Sequence, residues 1–445
     1  MLVAPARVPA TRRLAATLYG YAFLTDLVLL YPLYVLLFAD TGLSVGQISS
    51  LFVLWSAAGI LLEIPSGAWA DALSRRLLLC LAPLLTAAGF ALWVLLPSYP
   101  AFAVGFLLWG AGGALRSGAL EALVFTELDR LGAADRYARL IGRTRTTEVL
   151  GAVGSGVLAG PVFAFGGYLA VGAASVLTCL LAAVVAARLP EHRSVTPPAA
   201  DRPAPAGAEA SMVNEPPSST ARAAASSGAG PGEQTADDEP GWRESLRGGL
   251  AEVRADRTVR AAVLLVAAVA AIWGGLDEYT GLLARDTGVA EATVPLLLLL
   301  VWGGMTVGGL LAPLGERLSP AGYAGLLVVA AAAMAGGALL RHPAGFLLLA
   351  VAFAAFQLAT VLADARLQAR ITGDARATVT SLAGMATDLT TVAFYGAYGL
   401  LAGALGNPVA FAVAVLPYLL VALWLLTGRL VSCRKADDTS PSRLR

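Results

Sequence analysis

The sequence predicts an all-α membrane protein with twelve transmembrane helices in two pseudo-symmetric six-helix bundles. Three observations carry this reading. The chain has 445 residues, of which 57% are hydrophobic and only 14% charged, with a mean hydropathy of +0.72; a soluble domain is nearer half apolar and a quarter charged. Its apolar residues fall into two sets of six continuous runs, each long enough to cross about 30 Å of hydrocarbon as a helix. The two sets also echo one another in charge and spacing.

The first six runs cover residues 14–38, 48–70, 77–97, 101–126, 141–164 and 167–188. The second six cover 259–284, 293–314, 321–340, 344–369, 378–403 and 408–430, each bounded by Pro, Gly or charge. Continuous rather than alternating runs exclude a transmembrane barrel, and in lipid a lone segment satisfies its backbone only as a helix. Domain boundaries follow: an N-terminal bundle at 1–189, a C-terminal bundle at 258–431 and a tail at 432–445. Between the bundles, 190–241 is rich in Pro, Ala, Ser, Gly, Asp and Glu and reads as a disordered cytoplasmic linker. In 242–257, Trp242, Leu246, Leu250 and Val253 recur at helical spacing beside Arg243, Arg247, Arg254 and Arg257. That segment is either an amphipathic helix on the inner leaflet or a solvated lead into the seventh span.

Charge sets orientation rather than partner class. Thirty-one basic residues against 30 acidic ones leave +1, so no global field points to nucleic acid. Arg12, Arg13, Arg75, Arg76, Arg130, Arg136, Arg139, Arg317, Arg370, Arg376, Arg434 and Lys435 fall on alternate connections, while the other side carries only Arg285 and Arg341. The positive-inside rule then places both termini in the cytoplasm. The N-terminal run is too long, and too closely followed by a second span, for a cleaved signal peptide. Lys435 is the single lysine, and two histidines and three cysteines are scattered. Phosphate-loop and Schiff-base chemistry, a resident metal and any other cofactor are therefore not expected, nor is an enzyme.

The echo between halves is specific. Asp135-Arg136-Tyr137-Ala138 precedes Glu148 by twelve residues from Arg136; Asp374-Ala375-Arg376-Ala377 precedes Asp388 by twelve from Arg376. Leu120-Glu121-Ala122 has its counterpart in Ala363-Asp364-Ala365. Related halves of this kind are expected of transporters whose site lies between the repeats.

At the junction of the second and third runs, Gly67-Ala68-Trp69-Ala70-Asp71-Ala72-Leu73-Ser74-Arg75-Arg76-Leu77-Leu78-Leu79 resembles the signature loop of the major facilitator superfamily. Gly67, Asp71, Arg75, Arg76 and Leu79 match, with Arg76 in place of a lysine, whereas Trp69, Ala72 and Ser74 depart from it. The resemblance implies the major facilitator fold and a gating loop that latches the outward-facing state. In the second half the equivalent stretch, Gly315-Glu316-Arg317-Leu318, is degenerate. In the fifth run, Gly156, Gly160 and Pro161 resemble the motif of the proton-driven drug efflux branch, although four residues separate Gly160-Pro161 from Gly166-Gly167. The alternative is tight packing against the eighth helix, which small residues four apart also permit.

Ionisable residues inside the apolar runs cost roughly 2.5–3.5 kcal/mol each at mid-helix and are kept for a partner, a cavity or a function. Those singled out are Asp26, Glu63, Arg116, Glu121, Glu148, Asp277, Glu278 and Asp388. The family arrangement places helices 1, 4, 7 and 10 around the cavity and 2, 5, 8 and 11 beside it, and these residues fall only on those helices. Asp26, Arg116, Glu121, Glu148, Asp277 and Asp388 are the candidates for proton and substrate coupling, each alternatively a structural ion pair. Tyr19, Phe23, Trp109, Trp273, Tyr395 and Tyr398 are candidates for stacking on an apolar or cationic ligand, or for packing. The expected function is secondary active transport by alternating access, with proton-coupled export of a small amphipathic or cationic molecule across the cell inner membrane by a monomer. A nutrient uptake symporter and a transporter-like receptor that moves nothing are the alternatives.

Overall fold

The computed structural model describes residues 7–192, 256–315, 317–371 and 376–438. These are helices, turns and short connections without a strand among the described residues. Apart from its last few and first few flanking positions, the segment expected as linker and amphipathic helix lies outside the described residues, as does the tail beyond Asp438.

Twelve spans are present. The first is broken into α1 (Arg7–Asp26) and α2 (Tyr34–Asp40); α3 (Val45–Ala72), α4 (Arg75–Leu95) and α5 (Tyr99–Arg130) are the second to fourth. The fifth and sixth form α6 (Tyr137–Ala186), which leaves helical geometry at Gly166 (φ −151°, ψ 23°) and Gly167 (φ 59°, ψ −155°). Gly167 adopts a backbone conformation that a Cβ would disfavour. The seventh span is broken into α7 (Arg257–Asp277) and α8 (Thr280–Arg285), and the eighth into α9 (Val294–Leu310) and α10 (Ala312–Gly315). The ninth to eleventh are α11 (Pro320–Leu339), α12 (Gly345–Gln368) and α13 (Arg376–Leu405); the twelfth is α14 (Asn407–Ala414) with α15 (Leu416–Asp438).

Local signals set the ends. Ser44 and Gln47 form a capping box at α3, Ser74 accepts from Leu77 N–H at 3.1 Å to start α4, Asp256 accepts from Thr258 N–H at 2.6 Å to start α7 and Ser319 accepts from Gly322 N–H at 3.1 Å to start α11. Each oxygen satisfies a donor that the first turn leaves unpaired. Among the described residues, eight helical segments are long and apolar enough to cross a bilayer by composition alone. Three long helices outside that set, α1, α5 and α13, carry Asp26, Arg116 and Asp388.

The first span differs from the continuous helix expected over 14–38. After Asp26 the chain unwinds until Tyr34, and Pro32 has no N–H to continue a helix. Two serines from the other side of the bundle replace the lost bonds: Ser175 Oγ accepts from Leu30 N–H at 2.9 Å, and Ser155 Oγ donates to Val28 C=O at 2.7 Å. Irregular backbone at this depth survives only with such partners. The seventh span breaks at the matching place, directly after Asp277, where Thr280 Oγ1 donates to Asp277 C=O at 2.6 Å. Both halves thus open their first helix just after an acid.

Candidate functional site

The two halves enclose a cavity of about 750 Å³. From the first half it is lined by Asp26 at the end of α1, Trp55 and Glu63 on α3, and Trp109 and Arg116 on α5. From the second half come Gly274 and Glu278 at the α7 break and Thr387, Asp388 and Tyr395 on α13. On α3 the lining residues start one turn beyond Phe52 and step through Trp55, Gly59 and Glu63 toward the terminal side of the bundle. The cavity therefore extends from mid-depth toward the side that carries the termini.

Its charge is unbalanced. Asp26, Glu63, Glu278 and Asp388 line it against one guanidinium, Arg116. Arg116 Nη1 stands 3.7 Å from Asp26 Oδ2 and donates to Thr25 Oγ1 at 3.3 Å, while Thr25 Oγ1 donates to Asp26 Oδ2 at 3.3 Å. Asp26 and Arg116 are thus one pair, and the other three carboxyls face the cavity without a lining cation. Glu278 accepts a short hydrogen bond from the Tyr34 hydroxyl, which crosses between the halves.

Aromatic rings form one wall. Trp109 stacks on Trp55 (centroids 4.8 Å apart, planes 22°) and on Tyr31 (5.4 Å, 18°). Offset stacks of this kind hold the rings rigid, with Trp109 between Trp55 and Tyr31.

On the side away from the termini the halves close on each other. Ser49 Oγ and the Tyr279 hydroxyl are 2.7 Å apart, and Tyr279 lies over Tyr398 at 3.9 Å between centroids. Phe52 packs against Tyr279 and Tyr395, each at 5.3 Å. Nearer the surface, Arg285 Nη2 is 2.6 Å from Asp40 Oδ1, and the Tyr168 hydroxyl donates to Asp40 Oδ2 at 2.6 Å. Burial and the neighbouring Asp40 carboxyl hold the Glu291 carboxyl above its usual range in the same cluster. Backbones approach closely here: a Cβ on Gly160 would stand 2.2 Å from Ala292 O, and one on Gly399 would stand 2.7 Å from Ser49 Cβ. Gly156 packs on Leu299, so Gly156 and Gly160 do seat the fifth span on the eighth, with Pro161 following inside the same helix. Just outside the seventh span, burial holds the Asp286 carboxyl above its usual range although Asn407 Nδ2 donates to it at 3.0 Å.

Of the residues singled out from the sequence, Asp26, Arg116, Asp388, Trp109 and Tyr395 line the cavity. The others take different places. Glu121 pairs with Arg145 at 3.7 Å and Glu148 pairs with the same arginine at 3.4 Å, neither lining the cavity. Asp277 is half-buried at the break and has one buried oxygen without a partner among the described residues; its neighbour Glu278 is the one that reaches the cavity. Tyr19 packs in the lower core of the first half, and the Phe23 carbonyl lies where a Cβ on Gly151 would fall. Trp273 is buried in the second half, where its indole N–H donates to Thr360 at 3.0 Å. Tyr398 belongs to the closed side, with its hydroxyl 3.3 Å from Asn407 Oδ1. Trp55, Tyr31, Glu63 and Glu278 complete the lining.

At the gating loop, α3 ends and α4 begins across Leu73 and Ser74. The Arg75 guanidinium donates to Ala122 O at 3.1 Å and Thr126 Oγ1 at 2.8 Å, and Arg75 N–H donates to Glu191 at 2.7 Å. Arg75 thus ties the loop to the fourth span and to the segment after the sixth, all within the first half. Arg76 is exposed, and the side chains of Gly67 and Asp71 lie outside the described residues.

Comparisons with known proteins agree with this architecture. No curated protein matches the chain by sequence. The chain is similar in structure to the nucleoside transporter NupG in a substituted form, with TM-score 0.70, 10% identity and coverage of 93% of this chain and 99% of that one. It is also similar to a bacterial homolog of the human lysosomal transporter Spinster in an inward-facing, occupied conformation, with TM-score 0.66, 15% identity and coverage of 95% and 97%. A D-xylose-proton symporter gives TM-score 0.59, 15% identity and coverage of 93% and 96%. At these identities the likeness shows the fold. The description of the Major Facilitator Superfamily, however, matches residues 16–373 of the sequence itself, and so the chain, a transporter with two six-helix halves around a central cavity, belongs to that superfamily.

Proposed function

We propose that the protein is a proton-coupled secondary transporter that moves a small, aromatic-bearing organic cation by alternating access, here open toward the side of its termini. The observation that carries the proposal is the cavity's composition: four carboxyls, one arginine and a stacked Trp55–Trp109–Tyr31 wall. Arginine placement assigns the open side to the cytoplasm. A cation entering from there meets Glu63 and Asp388 first and the aromatic wall beyond them.

Coupling follows from competition. A carboxyl removed from water favours its protonated form, and an adjacent cation favours the ionised one. Protonating Asp26 frees Arg116, and placing a positive charge near it opposes binding of a cation. Binding of the cation to ionised Asp388 and Glu63 has the opposite effect, so proton and substrate exclude one another and exchange. That order exports the cation as protons enter. The helix 5 resemblance to the proton-driven drug efflux branch supports this direction.

A second reading, uptake of a neutral nutrient together with protons, is supported by the similar structures, which include a nucleoside transporter and a D-xylose-proton symporter. Proteoliposomes distinguish the two. A fluorescent aromatic cation accumulated against a pH gradient, with labelled nucleosides and pentoses inert, supports the first reading; the reverse pattern replaces it with the second.

A further inference from the structure

Several charged side chains of the first half pair: Arg116 with Asp26, Arg130 with Glu127, and Arg145 with Glu121 and Glu148. Of the arginines that pair with no described residue, four share one hollow. Arg12 on α1, Arg136 in the connection before α6, and Arg139 and Arg143 on α6 surround a separate hollow of about 320 Å³ on the terminal side. Its floor is Ala15, Leu128 and Leu140, with Tyr19 at its edge, and no carboxylate lines it. None of the four arginines takes part in an ion pair or a side-chain hydrogen bond among the described residues. The neighbouring hollow, lined by Arg13, Arg130 and Arg188, shows the usual arrangement, since buried Glu127 sits among its arginines.

Four guanidiniums around one concavity make a positive field that a bound anion complements. Guanidinium forks match the oxygens of a phosphate group in pairs, and Tyr19 adds a further donor. A second observation indicates where that phosphate comes from. Along α6, Arg139, Arg143, Thr146, Leu150, Val153 and Val157 recur at intervals of three or four residues and share one face. All six are exposed, with Leu150, Val153 and Val157 at 54%, 43% and 49% of their full accessibility, and none of them lines the central cavity. The face is basic at the end of the helix and apolar beyond it, which is the profile of a phospholipid with its headgroup at the interface and its chains alongside.

We propose that the hollow formed by Arg12, Arg136, Arg139 and Arg143 is a binding site for the phosphate headgroup of an anionic phospholipid, whose acyl chains lie along Leu150, Val153 and Val157. The site stands apart from the substrate cavity and does not depend on what that cavity transports. Because it grips the start of the fifth span and the first turns of α1, an occupied site braces the two helices that frame Asp26.

Native mass spectrometry of the full-length protein in detergent tests this by counting retained dioleoylphosphatidylglycerol against dioleoylphosphatidylcholine. The wild-type chain is expected to retain the anionic lipid selectively. Arg139→Gln/Arg143→Gln should weaken that retention roughly 30-fold, the factor that two interfacial arginines supply. Arg139→Lys/Arg143→Lys should keep most of it, and Arg317→Gln/Arg370→Gln, of equal charge change, should leave it unchanged. Equal retention in wild type and the glutamine pair overturns the proposal. Displacement of the lipid by glycerol 3-phosphate or inorganic phosphate alone overturns its lipid source and leaves a site for soluble phosphates.

Discussion

The contact between Asp40 and Arg285 joins the two halves at the closed surface, and its removal gives a direct handle on the balance between conformations. The pair is partly exposed, with side chains 27% and 40% accessible, so solvent screens it and the ion pair itself contributes about 0.5–1 kcal/mol. Asp40 also accepts from Tyr168 at 2.6 Å, a hydrogen bond to a charged group that contributes about 1.5 kcal/mol. Arg285→Gln removes the first and leaves the second, shifting the ratio of closed to open forms on this side by about two- to fivefold. Asp40→Asn removes the same contact between the halves and should give a shift of similar size, because its bond to Tyr168 lies within the first half. Spin labels at exposed Thr41 and Ala290, one on each half, read the change as a distance distribution after replacement of the native cysteines. The long-distance population should grow by similar amounts in Arg285→Gln and Asp40→Asn relative to wild type. If all three distributions superimpose, the cluster does not hold the halves together and the reasoning fails.

Three further outcomes are expected. Trp109→Ala removes the ring that stacks on both Trp55 and Tyr31 and holds the wall in place; at about 0.5–1.5 kcal/mol for each stacked pair, the apparent affinity for an aromatic cation should fall about tenfold in an equilibrium binding assay. Gly399→Ala places a methyl 2.7 Å from Ser49 and should favour the form open on that side by the Thr41–Ala290 distance, whereas Gly304→Ala, which meets Ala350 O at 2.2 Å within the second half, should lower the melting temperature instead. Asp286, whose carboxyl burial holds above its ordinary value of 3.8, gives the fold stability that is fully present below that value and lost as pH rises through the raised one; Asp286→Asn should flatten that part of the melting-temperature profile, and a variant with an unchanged slope would show that another group causes it.

The fold was legible because a continuous apolar run of about 20 residues has one stable form in lipid, and Gly166-Gly167 marked the boundary between the fifth and sixth spans within a helix that otherwise runs on. The break in the first span was not legible. Pro32 marks a weakness, but the backbone unwinds because Ser155 and Ser175, more than 120 residues away, accept and donate in place of the helix. Intramembrane charge found Asp26, Arg116 and Asp388, since the cost of burying them demands a cavity or a partner. The same signal could not separate Asp277 from Glu278, because the two sit at a helix break that sends them to opposite sides. Glu121 and Glu148 share Arg145, which lies close enough to the basic end of its helix to pass as part of the terminal-side charge. Tyr19, Phe23 and Trp273 show how aromatic candidates depend on helix rotation, which sequence periodicity leaves open to within a residue or so. Trp55, Gly59 and Glu63, four apart on α3, were a readable face, with Glu63 already marked by its charge. In the second half the degenerate loop is held from another direction, by Arg366 of α12, which donates to Leu318 O at 3.2 Å and lies over Tyr323 at 4.2 Å.

The central claim is that the cavity carboxyls couple substrate to protons, and proton movement in inverted membrane vesicles tests it most directly. With the membrane energised beforehand, adding an aromatic cation should trigger proton release from vesicles carrying the wild-type chain. Vesicles carrying Asp26→Asn/Asp388→Asn at the same expression level should give none. Undiminished release in the double variant would contradict the account, because the protons would then be moving by a route that neither carboxyl controls.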